Sequence, residues 1–313
     1  APAAHVPVKG HHATASFLNQ GADLLAGQGM VLARERALLP GWQTFGILDG
    51  GWSRYGHDSR TDVSGISLLT GASRGVGTGL GPLTLGAFLE LGAGHYNSRH
   101  SFDNADSVKS DGNTSYYGGG VLARLDFGTS DGFYVEASAR AGQAENSFYS
   151  GDLRDNFGVA AAYDADSAYY GLHGGLGRVW SLGQNSSLEL YGKYLWNRRN
   201  GDSVTLSTGD AIRFQATDSQ RTRLGIRFSR QASARFLPYA GVAWEHELDS
   251  RARAETAGLE LETPSHQGNS GIGEFGAVLK PNPAVPLTVD LSVRGYLGQR
   301  RGVRGSLKLE YAF

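Results

Sequence analysis

From residue 41 to its end the chain alternates apolar and polar residues with a period of two, and this alternation limits what it can fold into. In the last segment Val303, Gly305, Leu307, Leu309, Tyr311 and Phe313 fall on one face, and Arg304, Ser306, Lys308, Glu310 and Ala312 on the other. The segment before it sets Leu287, Val289, Leu291 and Val293 against Thr288, Asp290, Ser292 and Arg294. Leu83 to Leu91, Val121 to Phe127, Phe133 to Ala139, Leu188 to Trp196, Leu224 to Phe228 and Phe236 to Trp244 repeat it. A sustained period of two is the mark of β-strands with one face in each of two environments.

A soluble β-sandwich also has half-buried strands. Two features favour a membrane barrel instead. The polar faces carry charges of both signs in mid-strand, as the wall of a wet lumen does. The apolar faces end in aromatic residues, as at Trp196, Trp244, Phe127 and Tyr311, where membrane interfaces favour them. No run approaches the ~20 apolar residues of a spanning helix, but a barrel strand needs only about 10.

The runs predict twelve strands, near 41–56, 61–76, 82–98, 113–127, 132–148, 163–180, 186–199, 212–230, 234–249, 268–280, 286–298 and 301–313. Short links at 77–81, 128–131, 181–185, 231–233 and 281–285 alternate with long ones near 99–112, 149–162, 200–211 and 250–267. The links at 57–60 and 299–300 fall in the long series by position but are brief. Short turns at one rim and long loops at the other is the outer-membrane pattern, with the short ones periplasmic. An even count puts Gln43 and Phe313 at the same rim, so the first and last strands can pair. Closure then satisfies every backbone group in lipid.

Residues 11–39 read differently. Phe17, Leu18, Ala22, Leu25, Ala26, Leu32 and Leu38 show no strict alternation, and Pro40-Gly41 is a stop. The stretch from Ala13 to Leu39 predicts one helix, broken near Gly27 and Gly29, since each glycine costs roughly 1 kcal/mol against alanine. About 27 helical residues span roughly 40 Å, enough to thread a membrane-sized barrel. Asn19, Gln20, Asp23, Gln28, Arg34, Glu35 and Arg36 make this helix too polar to face lipid.

Composition agrees. The formal charge of −1 argues against nucleic acid as a partner. The absence of cysteine excludes disulfides and cysteine-ligated metals and suits passage through an oxidising periplasm. With 46 glycines and no period of three, the chain is not collagenous. Residues 1–10 lack the basic and apolar regions of a signal peptide, so the chain is expected to be the C-terminal part of something larger.

A helix at 13–39, a first strand Trp42-Gln-Thr-Phe-Gly-Ile-Leu-Asp-Gly-Gly-Trp-Ser-Arg-Tyr55 and a terminal Leu307-Lys-Leu-Glu-Tyr-Ala-Phe313 together resemble the C-terminal translocator of autotransporters, the type V secretion pathway. The resemblance covers the whole length. It implies an all-β transmembrane barrel of twelve antiparallel strands in the outer membrane of a Gram-negative bacterium, with residues 1–40 as linker and lumenal α-helix and 41–313 as barrel. It further implies that a passenger upstream of residue 1 is exported to the cell surface, and that the helix then plugs the lumen. The implied partners are outer-membrane lipid, periplasmic chaperones and the barrel-assembly machinery. That machinery would read Leu307, Leu309, Tyr311 and Phe313 as its signal. A monomer is expected, with no cofactor and no metal.

Some members of that family cut the passenger off inside the lumen, using barrel carboxylates to activate a helix asparagine. The candidates here are Asn19 with Asp49, Glu90, Asp126 and Glu136. Cleaving members of the best-known subgroup carry Asn-Asn, and this helix has Asn19-Gln20. The plainer reading is that these acids line the lumen and pair with its arginines. Arg124, Arg140, Glu189, Lys193, Arg223, Arg227, Glu245, Glu274, Asp290 and Arg294 are the other residues expected to line it.

An enzyme barrel of the phospholipase or protease type predicts a catalytic dyad or triad on a rim and no plugging helix. A porin-like channel predicts a wide lumen. His95 and His100 invite the first comparison but read as rim residues. Gly71-Ala-Ser-Arg-Gly75 has the letters of a nucleophile elbow without its strand-to-helix turn. Gly75-Val-Gly77-Thr-Gly79 lacks the lysine of a phosphate loop. The charges at Asp249, Arg251, Arg253, Glu255 and Glu260 read as a solvated loop. Only a translocator explains segment 11–39.

Overall fold

The computed structural model describes residues 6–56, 60–102, 105–128, 132–262, 265–280 and 287–311. Strands β1 (Gln43–Tyr55), β2 (Arg60–Thr78), β3 (Gly81–Phe102), β4 (Ala105–Asp126), β5 (Gly132–Arg154), β6 (Ala160–Ser181) and β7 (Ser186–Arg199) run side by side. β8 (Ser203–Thr205) and β9 (Ala211–Phe214) leave that wall, and β10 (Thr217–Arg230) and β11 (Phe236–Asp249) return to it. β12 (Arg253–Thr256) and β13 (Leu259–Glu262) leave it again before β14 (Gly268–Leu279), β15 (Leu287–Gly298) and β16 (Arg300–Tyr311) complete it. β1 pairs with both β2 and β16, so the twelve wall strands form a closed antiparallel barrel. Closure leaves no open edge, which is the condition for a sheet to sit in lipid.

The faces fall as the alternation requires. Leu48 and Trp52 of β1, Leu89 and Leu91 of β3, Val242 of β11, and Val303 and Leu309 of β16 are exposed on the outside. Asp49, Glu90, Glu245 and Arg304 on the same strands are buried inside. Exposed outer aromatics mark two levels. Trp42, Phe127, Phe133 and Phe236 lie toward the short-turn rim, and Trp52, Tyr117, Tyr170 and Trp244 toward the long-hairpin rim. The indole N–H of Trp244 still finds the Asn269 side chain at 3.0 Å. No helix of the described residues is long and apolar enough to cross a membrane, which leaves open a crossing by strands.

Helix α1 (Val8–Leu24) runs into a π-helical turn at Leu25–Gly29 and then α2 (Met30–Ala37). The expected helix over 13–39 therefore starts five residues earlier and ends two residues sooner. Val8 to His12 are polar and apolar in no helical order, but the barrel buries every one of them and the backbone must satisfy itself there. The glycines at 27 and 29 widen the helix by a π-turn rather than break it, because the surrounding wall holds both halves on one axis.

The connections differ most from expectation. The links at 99–112 and 149–162 are mostly strand: β3 and β4 extend to Phe102 and from Ala105, and β5 and β6 to Arg154 and from Ala160. These four strands have 22 or 23 residues, about twice what a bilayer needs. Above the lipid their outer faces are polar, so the apolar half of the alternation fades while pairing continues. Ser98 and Ser110 hydroxyls meet inside at 2.6 Å. The stretches 200–211 and 250–267 are not plain loops either. β8, β9, β12 and β13 form a separate four-stranded sheet, and the strand expected over 212–230 is cut at Phe214, where the chain leaves that sheet to enter β10. Parts of the links at 57–60, 128–131 and 281–285 lie outside the described residues, as does Phe313.

The barrel wall is thus tall on the β3–β6 side and low on the side of β7, β10 and β11. The small sheet fills the low side at the long-hairpin rim. Ile212, Phe214, Ala254 and Leu261 of the sheet share an apolar core with Phe148 and Tyr163 of the tall wall and Val6 and Val8 at the start of the helix. Phe148 and Tyr163 stack at 5.0 Å.

Candidate functional site

The lumen is filled by the chain's own helix. Its first residues lie at the long-hairpin rim, where Tyr163 Oη donates to the Pro7 carbonyl at 2.7 Å. Its last turn lies at the short-turn rim, where Arg34 Nε meets Asp126 at 3.1 Å. From there Gly41, with a φ of 76° that few other residues tolerate, turns the chain into β1.

Barrel side chains hold the helix partly through its carbonyls, which carry no side-chain identity. Arg199 donates to the carbonyl of His11 at 3.2 Å, Arg140 to that of Leu18 at 2.7 Å, Arg221 to that of Asn19 at 3.3 Å, and Ser73 to that of Ala33 at 2.8 Å. Lys193 Nζ donates to the carbonyl of Ala26 in the π-turn. Apolar contacts supplement these bonds. Phe17 packs against Gly65 of β2 and Gly94 of β3, where an added Cβ would come within 2.7 and 3.2 Å of its ring.

The charged groups form layers along the axis. Midway along the helix, Asp23 accepts from Arg221 at 2.7 Å, Arg223 at 2.7 Å and Arg300 at 2.6 Å. Arg223 also donates to Glu245 at 3.0 Å. At the seam, Asp49 of β1 accepts from Arg304 Nε at 2.6 Å and Ser306 at 2.5 Å, both on β16, while Arg304 also reaches Gln20 of the helix. Two strands away from β1, Glu90 of β3 accepts from Arg140 of β5 and Tyr169 of β6, each at 2.7 Å. Below it Glu136 lies 2.7 Å from Lys193 and 3.2 Å from Arg124, and Arg124 joins Asp126 at 2.9 Å. Asp290 accepts from Tyr239 at 2.8 Å and lies 3.0 Å from Lys308.

All four carboxylates considered for cleavage, Asp49, Glu90, Asp126 and Glu136, are therefore engaged with arginine or lysine. Among the described residues, none of them forms a hydrogen bond or ion pair with Asn19. The Asn19 side chain instead accepts from Asn197 at 2.7 Å and donates to Ser219 at 2.9 Å. Ser219 in turn donates to Glu247 at 3.0 Å. Glu247, Ser219, Arg221 and Arg300 are not among the lumenal residues expected from the sequence, and Asp23 is expected there only as a polar helix residue. Their alternation parity placed the strand residues inside, but nothing local told which height each occupies.

Among the other residues expected in the lumen, Glu189 accepts from Tyr134 at 2.6 Å. Arg294 and Arg227 face Glu274 at 3.6 and 4.0 Å. Two cavities beside the helix measure about 50 and 20 Å³, room for a few waters each. Ser73, in the elbow-like Gly71–Gly75 letters, is buried in β2 with its hydroxyl on Ala33. Gly75 of the glycine-rich run faces the Ala37 carbonyl at the helix end. His95 is exposed on the outer face and contacts Asn113 at 3.2 Å. In the last strand Leu309 faces outward and Tyr311 pairs with Leu287, with Phe313 outside the described residues.

A family model, Autotransporter beta-domain, matches residues 40–292. Solved structures share the architecture. The translocator domain of the autotransporter NalP from Neisseria meningitidis superposes with a TM-score of 0.67 at 14% identity, covering 96% of this chain and 99% of that one. The transport unit of AIDA-I from Escherichia coli gives 0.64 at 17%, covering 91% and 97%. The β-domain of the Bordetella autotransporter BrkA gives 0.59 at 16%, covering 87% and 99%. At these identities the likeness is one of fold. No curated protein sequence matches the chain.

Proposed function

The chain belongs to the autotransporter β-domain family and is an outer-membrane translocator unit, and from that premise we propose that it exports a passenger lying upstream of residue 1 to the cell surface and is then closed by its own helix. Residues 1–40 serve as linker and plug and 41–313 as barrel. The observation that carries the reading is the direction of the helix: its N-terminus meets the long-hairpin rim at Tyr163 and its C-terminus turns into β1 at the other rim. In an outer membrane the long hairpins face outward, so a segment preceding the helix emerges at the surface while β1 begins at the periplasm. Holding the helix through backbone carbonyls suits a lumen that a passing chain must traverse before its final segment docks.

Insertion by the barrel-assembly machinery, with periplasmic chaperones escorting the chain and β16 presenting Leu307, Leu309, Tyr311 and Phe313, completes the proposal. The test fuses a folded reporter upstream of Ala1 behind an export signal and probes intact cells with protease. Surface cleavage of the reporter is expected. A reporter that stays periplasmic beside a correctly inserted barrel would overturn the reading.

One observation favours lumenal self-cleavage as a second reading: the Asn19 amide is linked through Ser219 to the Glu247 carboxylate, and its carbonyl faces Arg221. The lumenal acids otherwise serve as ion-pair partners, and the first reading needs no bond to break.

A further inference from the structure

Two adjacent histidines of the helix, His11 and His12, and the distant His266 lie together at the long-hairpin rim, where the helix touches the small sheet and its connections. The His12 and His266 rings stack with centroids 3.8 Å apart, and Tyr55 of β1 stacks on the far side of His266 at 4.6 Å. His12 Nε2 lies 3.0 Å from the Ser250 carbonyl, on the chain between β11 and β12. His11 stacks on Phe214 of β9 at 5.0 Å. Both His11 ring nitrogens are buried without a protein partner. Each contact joins the helix to the structure that roofs it: His12 to Ser250 and His266, His11 to Phe214.

We propose that this stack is an acid-operated latch: when His12 and His266 take up protons, the helix N-terminus and the small sheet part, and the lumen opens at its long-hairpin rim.

The charges around the stack give the direction. On the helix, Lys9 adjoins it, with its ammonium on the Arg99 carbonyl of β3 at 2.9 Å. From β7, Arg199 faces His11. From β16, Arg300 sits over Tyr55 with its centre 6.0 Å from the ring. From β6, Tyr163 is neutral. Arg221, Glu245 and Glu247 line the small cavity that His266 also borders, and both acids there already face Arg221, at 3.4 and 3.9 Å. Among the described residues, a proton added to the stack thus meets cations in its first surroundings and no carboxylate that lacks an arginine partner.

Burial holds His12 down to about 4, helped by Lys9 and opposed by the Ser250 carbonyl. Burial also holds His266 and His11 well below the usual imidazole range, with His12 and Lys9 adding to the first and Arg199 and His12 to the second. The closed contact binds fewer protons than the parted one. It is therefore fully stable above about pH 6.5 and weakens as pH falls toward about 4. Acid weakens all the latch contacts together, whereas the Asp23 layer deeper in the lumen rests on arginines that stay charged.

The latch rests on the helix closing the lumen and is independent of export, so its failure leaves the translocator reading standing. The test is conductance of the purified, refolded chain in planar lipid bilayers at about pH 7.5 and about pH 4.5. Wild type is expected to show at least about a tenfold rise in open probability at the lower pH, reversed on return, as a latch weakened by 1.4 kcal/mol or more would. The double variant His12→Gln with His266→Phe keeps a donor for Ser250 and a ring for the stack but cannot take up the protons, and it should stay closed. Equal conductance of wild type at both pH values overturns the proposal, as does a double variant that opens at the same pH as wild type. If the variant does not refold, amide exchange on wild type decides. Protection factors of residues 8–14 should fall about tenfold at the lower pH while those of 30–37 hold, and unchanged protection at 8–14 rejects the latch.

Discussion

Arg300, the first residue of the last barrel strand, holds Asp23 of the lumenal helix at 2.6 Å, across 277 positions of sequence. Arg221 and Arg223 complete a three-guanidinium grip on the same carboxylate. Removing the acid leaves the three arginines close together without their shared partner. Asp23→Ala should weaken helix docking by about 3–5 kcal/mol. Conductance measurements should show a lumen open most of the time, while the barrel still migrates as a folded, heat-modifiable species on gels. A lumen that stays closed would mean the carbonyl bonds alone retain the helix.

The closing seam makes a separate prediction. Asp49 on β1 bridges to Arg304 and Ser306 on β16, so the pair ties the first strand to the last. In a double-mutant cycle, Asp49→Ala and Arg304→Ala should each destabilise the barrel, and the double variant should lose less than the sum by about 1–3 kcal/mol. Urea unfolding in detergent reads this directly. Strict additivity would show that the backbone ladder alone holds the seam.

Phe17 fills a niche that Gly65 and Gly94 leave in the wall. Phe17→Ala should reduce helix retention by about 3–5 kcal/mol. Amide exchange of residues 8–24 would rise, with little change in the strands.

On the outside, Leu307 pairs with Leu48 and Leu291 at mid-height of the lipid face. Leu307→Arg should cost about 2–4 kcal/mol of stability in bilayers. Folding yield into vesicles measures it, and a yield equal to wild type would place this face out of lipid.

For cleavage, the ion-pair assignment of the lumenal acids has a simple consequence. If a passenger fusion yields a shorter, passenger-free band, Asn19→Ala and Glu136→Gln should leave that band in place. Its loss in Asn19→Ala and in Glu247→Gln, with Glu136→Gln unaffected, would establish the Asn19–Ser219–Glu247 relay as a cutting site.

Much of the architecture was legible beforehand because it depends on a local rule. Period-two alternation assigns Leu309 to lipid and Lys308 to the lumen wherever the strand lies in space, and an even number of such strands can close. The long hairpins were less legible. Beyond the lipid, residues such as Asn97 and Asp111 face water on the outer wall, so the apolar half of the signal disappears while pairing goes on. The small sheet was hidden for another reason: its strands are three or four residues long, too short for alternation to register.

The sequence by itself determined which face of each strand meets lipid and that a polar helix precedes the wall, since each follows from neighbours two to four residues apart. The tertiary structure decided which charge meets which: that Asp23 goes to Arg221, Arg223 and Arg300, that Asp49 pins the seam, and that His12 finds His266. Strand tilt and stagger set the height of every lumenal residue relative to the helix. Those quantities belong to the closed barrel as a whole, so no segment of the chain carries them alone.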